Sequence, residues 1–335
     1  MREAAFELAL CAALESPETV VSRQLGAHVH GRRIVDTVVL DPGPGFEARA
    51  AITDETIPPA AIAADVGRGT ATPLLEAFDC HPERAREVTE RGVEVGFLER
   101  ERRNGRTCVR QTARYPDGWV DRIVGVENKP DLGRPGDLET QLRTDVSLAL
   151  LDEVVLATAS YVTGAHLNRI PDAVGVWRFD PETGDREVVR EPTPLSPAEP
   201  GIELLERAPG RDDVRVATAA EKASARRRLA ERAYGKGWRP SALPACANCT
   251  DAPAGVPACD WKERPVAPAA ECGPDCPGHE PSEPPEAPAP AQLRAERSAW
   301  IRDPDGRRRR QAGLGRFDFG DCIGEYRAAT GIFLD

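Results

Sequence analysis

The most constraining feature of the chain is the stretch 119–129 (WVDRIVGVENK), which stops at Pro130 and leads into a helical pattern at 137–151. The stretch is rich in β-branched residues and reads as a strand. In the segment that follows, Leu138, Leu142, Val146 and Leu150 form one stripe. Apolar runs at 153–158 and 173–179 add two strands, with a helical stretch near 164–170 between them. Upstream, 3–15 reads as a helix with Phe6, Leu10 and Leu14 at helical spacing, ended by Pro17. Residues 20–25 and 32–40 read as strands, the second closed by the turn cluster Asp41-Pro42-Gly43-Pro44-Gly45. This order predicts an α/β fold with a mixed central sheet flanked by helices.

Residues 53–115 interrupt that order. A short helix at 58–66, a longer one at 82–101, a basic hairpin tip at 102–106 turning on Asn104-Gly105, and a returning strand at 108–114 give the element order of a winged helix. A helical insertion that only braces the main domain fits the same pattern. After residue 192 the composition shifts. A charged helix at 218–234 ends a helical extension (193–243). A Cys- and Pro-rich segment (244–279), a Pro/Glu/Ala linker (280–291) and a tail (292–335) with no assignable fold follow. The core is thus expected to be discontinuous, 1–52 with 116–192.

The 335 residues suggest about two domains. No stretch approaches the roughly 18 uncharged apolar residues of a membrane span. Arg2, Glu3 and Glu7 break the N-terminal apolar run, so no signal peptide is expected and the expected location is cytoplasmic. The net charge of -11 speaks against a protein that coats nucleic acid by bulk charge. Only four lysines (Lys129, Lys222, Lys236, Lys262) stand among the 44 basic residues. The Arg bias fits GC-rich coding or a salt-adapted cytoplasm, and it makes each remaining lysine more informative.

One of the four sits beside Glu127. Strand alternation predicts Glu127 and Lys129 on the same face, next to an end left open by Pro130. A carboxylate and an ammonium so placed can hold Mg²⁺ and orient an attacking water. Asp36, inside an apolar strand, is costly to bury unless paired or metal-bound. Glu7, among apolar residues of the first helix, could face the same place. Asp121 and Asp117 are rival second carboxylates. Exposed Glu-x-Lys pairs also occur as plain solvated ion pairs.

The sequence of Glu on a first helix, Asp in a second strand, and Glu-x-Lys in a third strand followed by a helix resembles the PD-(D/E)XK nuclease superfamily. Archaeal Holliday-junction resolvases and RecB-like nucleases are the nearest in pattern. The matching residues are Glu7, Asp36, Glu127 and Lys129, and the resemblance covers roughly 3–190. Gln141 resembles the glutamine that RecB-like members carry on that helix. The resemblance implies a restriction-endonuclease-like core and Mg²⁺-dependent (or Mn²⁺-dependent) hydrolysis of DNA, with Asp36 and Glu127 on the metal. The 91 positions between Asp36 and Glu127 exceed the usual gap, and the insertion accounts for them. The chain also resembles an uncharacterised haloarchaeal protein family.

Five of nine cysteines cluster as Cys246-x-x-Cys249, Cys259 and Cys272-x-x-x-Cys276, followed by His279. Such spacing in a Pro/Gly-rich loop suits a structural Zn²⁺. A 4Fe-4S cluster using Cys11 with Cys246, Cys249 and Cys259 is the alternative implied by RecB-like relatives; Cys11 also reads as a plain buried residue on an apolar helix face. Two functions follow as expectations: a metal-dependent deoxyribonuclease in repair or recombination, or a non-catalytic DNA-binding regulator on a degenerate nuclease scaffold. In either, Arg102, Arg103 and Arg106 of the hairpin tip would meet phosphates. The acidic helix before them also leaves a dimerising role open.

Overall fold

The structure, a computed structural model, describes residues 3–64 and 66–302. Helix α1 (Glu3–Leu14) ends ahead of Pro17. Two antiparallel strands follow, β1 (Val20–Gly26) and β2 (Ile34–Pro42), then a short α2 (Phe46–Ala50). The insertion contains α3 (Pro59–Ala63), β3 (Thr72–Pro73), α4 (Leu74–Ala77), α5 (Pro82–Glu94), β4 (Leu98–Arg103) and β5 (Arg106–Gln111). The main sheet resumes with β6 (Val120–Asn128), α6 (Leu138–Leu148), β7 (Glu153–Thr158), α7 (Gly164–Leu167), β8 (Gly175–Phe179) and β9 (Arg186–Arg190). Its order is β1-β2-β6-β7-β8-β9. The β6–β7 and β7–β8 pairs are parallel and the others antiparallel, so the fold is α/β with a mixed sheet.

Strand alternation divides the apolar residues between two cores. Val38, Leu40, Ile123, Val154 and Leu156 join Leu138 and Leu142 of α6 on one face. Val39, Val124, Val126 and Val155 join Phe6, Leu8 and Leu10 of α1 on the other. Phe6 is fully buried edge-on against Phe179, ring centroids 5.4 Å apart.

The insertion has its own core around Ile57, Phe78, Val88, Phe97 and Val109. Its three strands are ordered β3-β5-β4. The long helix expected at 82–101 ends at Glu94, because Gly96 (φ 73°) adopts the left-handed conformation. Phe97 N–H then bonds Gly92 O and Gly96 N–H bonds Val93 O, a Schellman stop that no helical spacing of Val95 and Leu98 could reveal. The returning strand accordingly starts at Arg106. Asn104 and Gly105 both have φ > 0, as a two-residue hairpin turn demands.

The region expected as a helical extension opens instead with a hairpin, β10 (Gly201–Ala208) and β11 (Arg211–Ala217), turning at Gly210. Then comes α8 (Ala219–Lys236), capped by a reciprocal Thr218–Glu221 box and packed on the α6 side of the sheet. The Cys-rich segment forms a small sheet of β12 (Cys249–Ala252), β13 (Val256–Cys259) and β14 (Arg264–Pro265), followed by α9 (Pro268–Glu271). The Pro-rich stretch does not stay a free linker to residue 291. It enters α10 (Pro290–Arg297), whose buried Arg294 donates to Ala233 O, and Trp300 then sinks into the main core. Arg307 to Arg310 and Cys322 lie outside the described residues. Among the described residues no helix is long and apolar enough to cross a membrane.

Candidate functional site

The β1–β2 ladder has one irregularity, and it lies against Asp36. The register passes from Arg23↔Thr37 to Leu25↔Val35 without pairing Gln24, whose φ is 52°. A non-glycine residue held in this region costs about 1–3 kcal/mol, so the surroundings must enforce it. The Gln24 amide donates to Glu7 Oε2 (2.7 Å) and to Asp36 Oδ1 (3.1 Å). Asp36 Oδ2 accepts from the backbone N–H of Asn128 (2.9 Å), the residue between Glu127 and Lys129. Glu7, nearly fully buried, also takes Arg23 Nη1 at 2.9 Å. One hydrogen-bonded chain therefore joins the first helix, the second strand and the end of β6.

Glu127 and Lys129 engage different partners. β6 ends at Asn128, and the Lys129 ammonium stands 3.6 Å from Glu3 Oε2 on α1. Glu127 is buried and receives Arg33 Nη2 at 2.6 Å. The same guanidinium binds Asp145 of α6 through two bonds of 3.0 and 2.7 Å. Gln141 lies one turn before Asp145, half-buried. Asp121 and Asp117 are exposed, and neither is hydrogen-bonded to this cluster.

Asp36 is the electrostatic centre. Burial pushes the Glu127 carboxyl up to about 8; the Arg33 guanidinium opposes this, and the Asp36 and Asp145 charges add to it. Burial raises Glu7 and Asp145 as well, with Asp36 contributing to both. Fully ionised, Glu7, Asp36, Glu127 and Asp145 have direct ion pairs, among the described residues, with Arg23 and Arg33, two cations for four carboxylates. Oxygen donors with that deficit suit a hard divalent cation. As they stand, however, no three acidic, His or Cys side chains among the described residues are gathered so as to hold a metal. Between Glu127 and Asp145 the space is taken by Arg33. The Asn128 side chain donates its amide to Thr37 Oγ1 (3.2 Å), and its Oδ1 atom is buried without a hydrogen-bond partner.

Sequence reading missed Asp145, Arg33 and Gln24. Asp145 had a signal: an acid three positions after Leu142 and three before Leu148, both buried, on a helix that half-exposes Val146. Nothing local marked Arg33 or the irregularity at Gln24.

In the Cys-rich segment, Cys249 and Cys259 are cross-strand partners. With Cys246, Cys272, Cys276 and His279 they line one cavity of about 20 Å³, and none of the five cysteines is in a disulfide. The Glu280 N–H points at Cys246 Sγ (3.5 Å). Cys11 does not line this cavity. It is buried in α1 against Thr37 Oγ1, and burial pushes its thiol up to about 12. The hairpin-tip residues Arg102, Arg103 and Arg106 are exposed, Arg106 beside Glu76 (3.4 Å) and Arg103 beside Glu101 (4.0 Å). His28 bonds Arg33 O and His30 pairs with Glu221, turn-bracing roles for both.

The chain belongs to a family of unknown function, DUF5787, whose model matches residues 20–281. No curated protein matches it, and no solved structure does.

Proposed function

We propose that the chain is a Mg²⁺-dependent nuclease that hydrolyses DNA phosphodiesters, in repair or recombination. The observation that carries this reading is the linkage at Asp36. Its carboxylate bonds the N–H between Glu127 and Lys129 on one side and, through Gln24, Glu7 on the other. The element order α1-β1-β2-β6-α6-β7, antiparallel over the first three strands and parallel over the last pair, supports a restriction-endonuclease-like core.

Asp36 and Glu127 would hold the ion. When bound, Mg²⁺ supplies a polarised water and stabilises charge on the phosphoryl oxygens. Lys129 orients the attacking water or meets the developing negative charge, and Glu3 limits where its ammonium can swing. Glu7, fixed by Arg23 and Gln24, positions Asp36. Gln141 extends the site along α6. Arg33 holds the Glu127 carboxylate in place and balances Asp145.

The insertion's order α3-β3-α4-α5-β4-β5, with sheet order β3-β5-β4, supports a winged-helix-like unit whose tip arginines Arg102, Arg103 and Arg106 touch DNA. The spacing of five cysteines and His279, and the one small cavity they all line, support a structural Zn²⁺ in the Cys-rich segment, for which the side chains would have to draw together. The 4Fe-4S alternative loses support because Cys11 is committed to the α1 core.

A second reading is favoured by Arg33, which already occupies the space between Glu127 and Asp145 and pairs with both: a non-catalytic DNA-binding regulator on the same scaffold. Incubating the purified protein with Mg²⁺ or Mn²⁺ and single-stranded, duplex or branched DNA separates the two. Cleavage that is lost in Lys129→Ala and in Asp36→Ala, with folding intact, is expected. Cleavage unchanged in both variants overturns the catalytic assignment, and DNA binding without cleavage and without metal dependence favours the regulator.

A further inference from the structure

Helix α8 presents Arg228, Arg232 and Lys236 at intervals of four residues, hence on one side. Each stands over a successive part of β1 and the turn after it. Lys236 Nζ donates to the carbonyls of Arg23 (2.8 Å) and Gln24 (3.0 Å). Arg232 Nη1 lies 3.6 Å from where a Cβ on Gly26 would be, and Arg228 donates to His28 O. In a chain with net charge -11, where Arg226, Arg239 and Arg122 all have carboxylate partners, these three have none within ion-pair distance among the described residues. The hydrogen bonds of Arg228 and Lys236 go to neutral carbonyls, so the charge of the row is left to act outward. Glu203 and Glu7 are the acids close enough to be felt, by Arg228 and Lys236 respectively. Arg232 and Lys236 are exposed.

The row has a direction. Its Lys236 end reaches Gln24, the residue that ties Glu7 to Asp36. There it opens into a cavity of about 750 Å³ bounded by Arg23, Gln24, Lys236, Trp238 and, on the Cys-rich side, Cys272 and His279. At about 1.5 Å rise per residue, Arg228 to Lys236 spans about 12 Å. That length spans more than one phosphate of a single strand, so the three cations can meet successive phosphates.

We infer that Arg228, Arg232 and Lys236 form a phosphate track along which one nucleic-acid strand is led to the Asp36–Glu127 carboxylates. The inference rests on the nuclease reading for what happens at the end of the track, but not for the binding itself. Phosphate contacts of this kind give affinity without sequence preference and release counterions.

The test is fluorescence anisotropy with a labelled single-stranded oligonucleotide, in Ca²⁺ or in EDTA, over a salt series, using the full chain. R232E/K236E is compared with wild type, and R232Q/K236Q controls for disturbance of α8. Affinity is expected to fall at least tenfold at about 0.1 M salt. The slope of log affinity against log salt should flatten by about 1.4 for the two lost single-strand contacts. The Gln pair should show the same slope change. Unaltered affinity and slope in both variants overturn the track, also where R102E/R103E does weaken binding, as does a wild-type chain that does not bind the oligonucleotide. A chain that binds as expected but cleaves nothing with Mg²⁺ leaves the track standing and removes the nuclease reading.

Discussion

Glu127→Gln isolates the cost of keeping a carboxylate at the centre of the site. The Gln side chain has the same shape and still offers an oxygen to Arg33, so the packing is retained. The Glu127 carboxyl ionises near 8 in the folded chain against an ordinary value of 4.5, because burial disfavours its charge. Between those values the native state holds a proton that the unfolded chain has released. Stability therefore falls as pH rises from about 4.5 to 8, at about 1.4 kcal/mol per pH unit. Over the whole window this amounts to at most about 4–5 kcal/mol. The Gln variant lacks this slope. Near pH 5 the two proteins should differ by within about 1 kcal/mol, and near pH 8 the variant should be more stable by up to about 4 kcal/mol. Denaturant unfolding in EDTA at half-unit pH intervals measures the difference. Divalent metal should narrow the difference near pH 8, since an ion at a hundred times its Kd returns about 2.7 kcal/mol to the wild type and little to the variant. A difference between the proteins that stays constant from pH 5 to 8 refutes the account of Glu127.

Three other outcomes follow from the packing. Arg49 and Glu231 are both fully buried and paired, with Tyr115 and the Ile57 N–H on the same carboxylate, so Arg49→Met should cost about 3–5 kcal/mol in denaturant melts by leaving a buried unpaired charge. Phe6→Ala removes the ring packed on Phe179 and should cost about 3–5 kcal/mol. If the Cys-rich segment holds Zn²⁺, elemental analysis after anaerobic purification should find close to one zinc per chain, reduced in Cys249→Ser and Cys276→Ser; a protein lacking both zinc and iron refutes the metal.

How much of this was visible in the residues depended on whether the signal was local. The β-branched runs at β1, β2, β6, β7 and β8 alternate between two apolar faces, and their pattern alone placed the sheet. Asp36 stood out because an acid in such a run needs a reason. The limits were equally physical. α5 looked long because Val95 and Leu98 keep helical spacing, whereas the left-handed turn at Gly96 is a backbone event. β10 and β11 expose Ile202, Val214 and Val216 among acids and arginines, so their alternation was masked by charge. Arg33 reaches Glu127 across 94 positions and Gln24 reaches Glu7 across 17, distances over which periodicity carries no information. Asp145 was legible in principle, as a charge on the buried side of a helix.

The seating of Trp300 bears on how the protein can be shortened. Its indole N–H bonds Asp54 O at the start of the insertion, and Ala299 N–H bonds Thr19 O just ahead of β1. The last described segment thus clasps the region where the chain enters its sheet. A fragment cut to residues 20–281, the stretch the DUF5787 model matches, would lose both this clasp and α1, and with α1 the apolar layer of Phe6, Leu8 and Leu10. A fragment meant to keep both should therefore run from α1 through Trp300, longer at both ends than the 20–281 match.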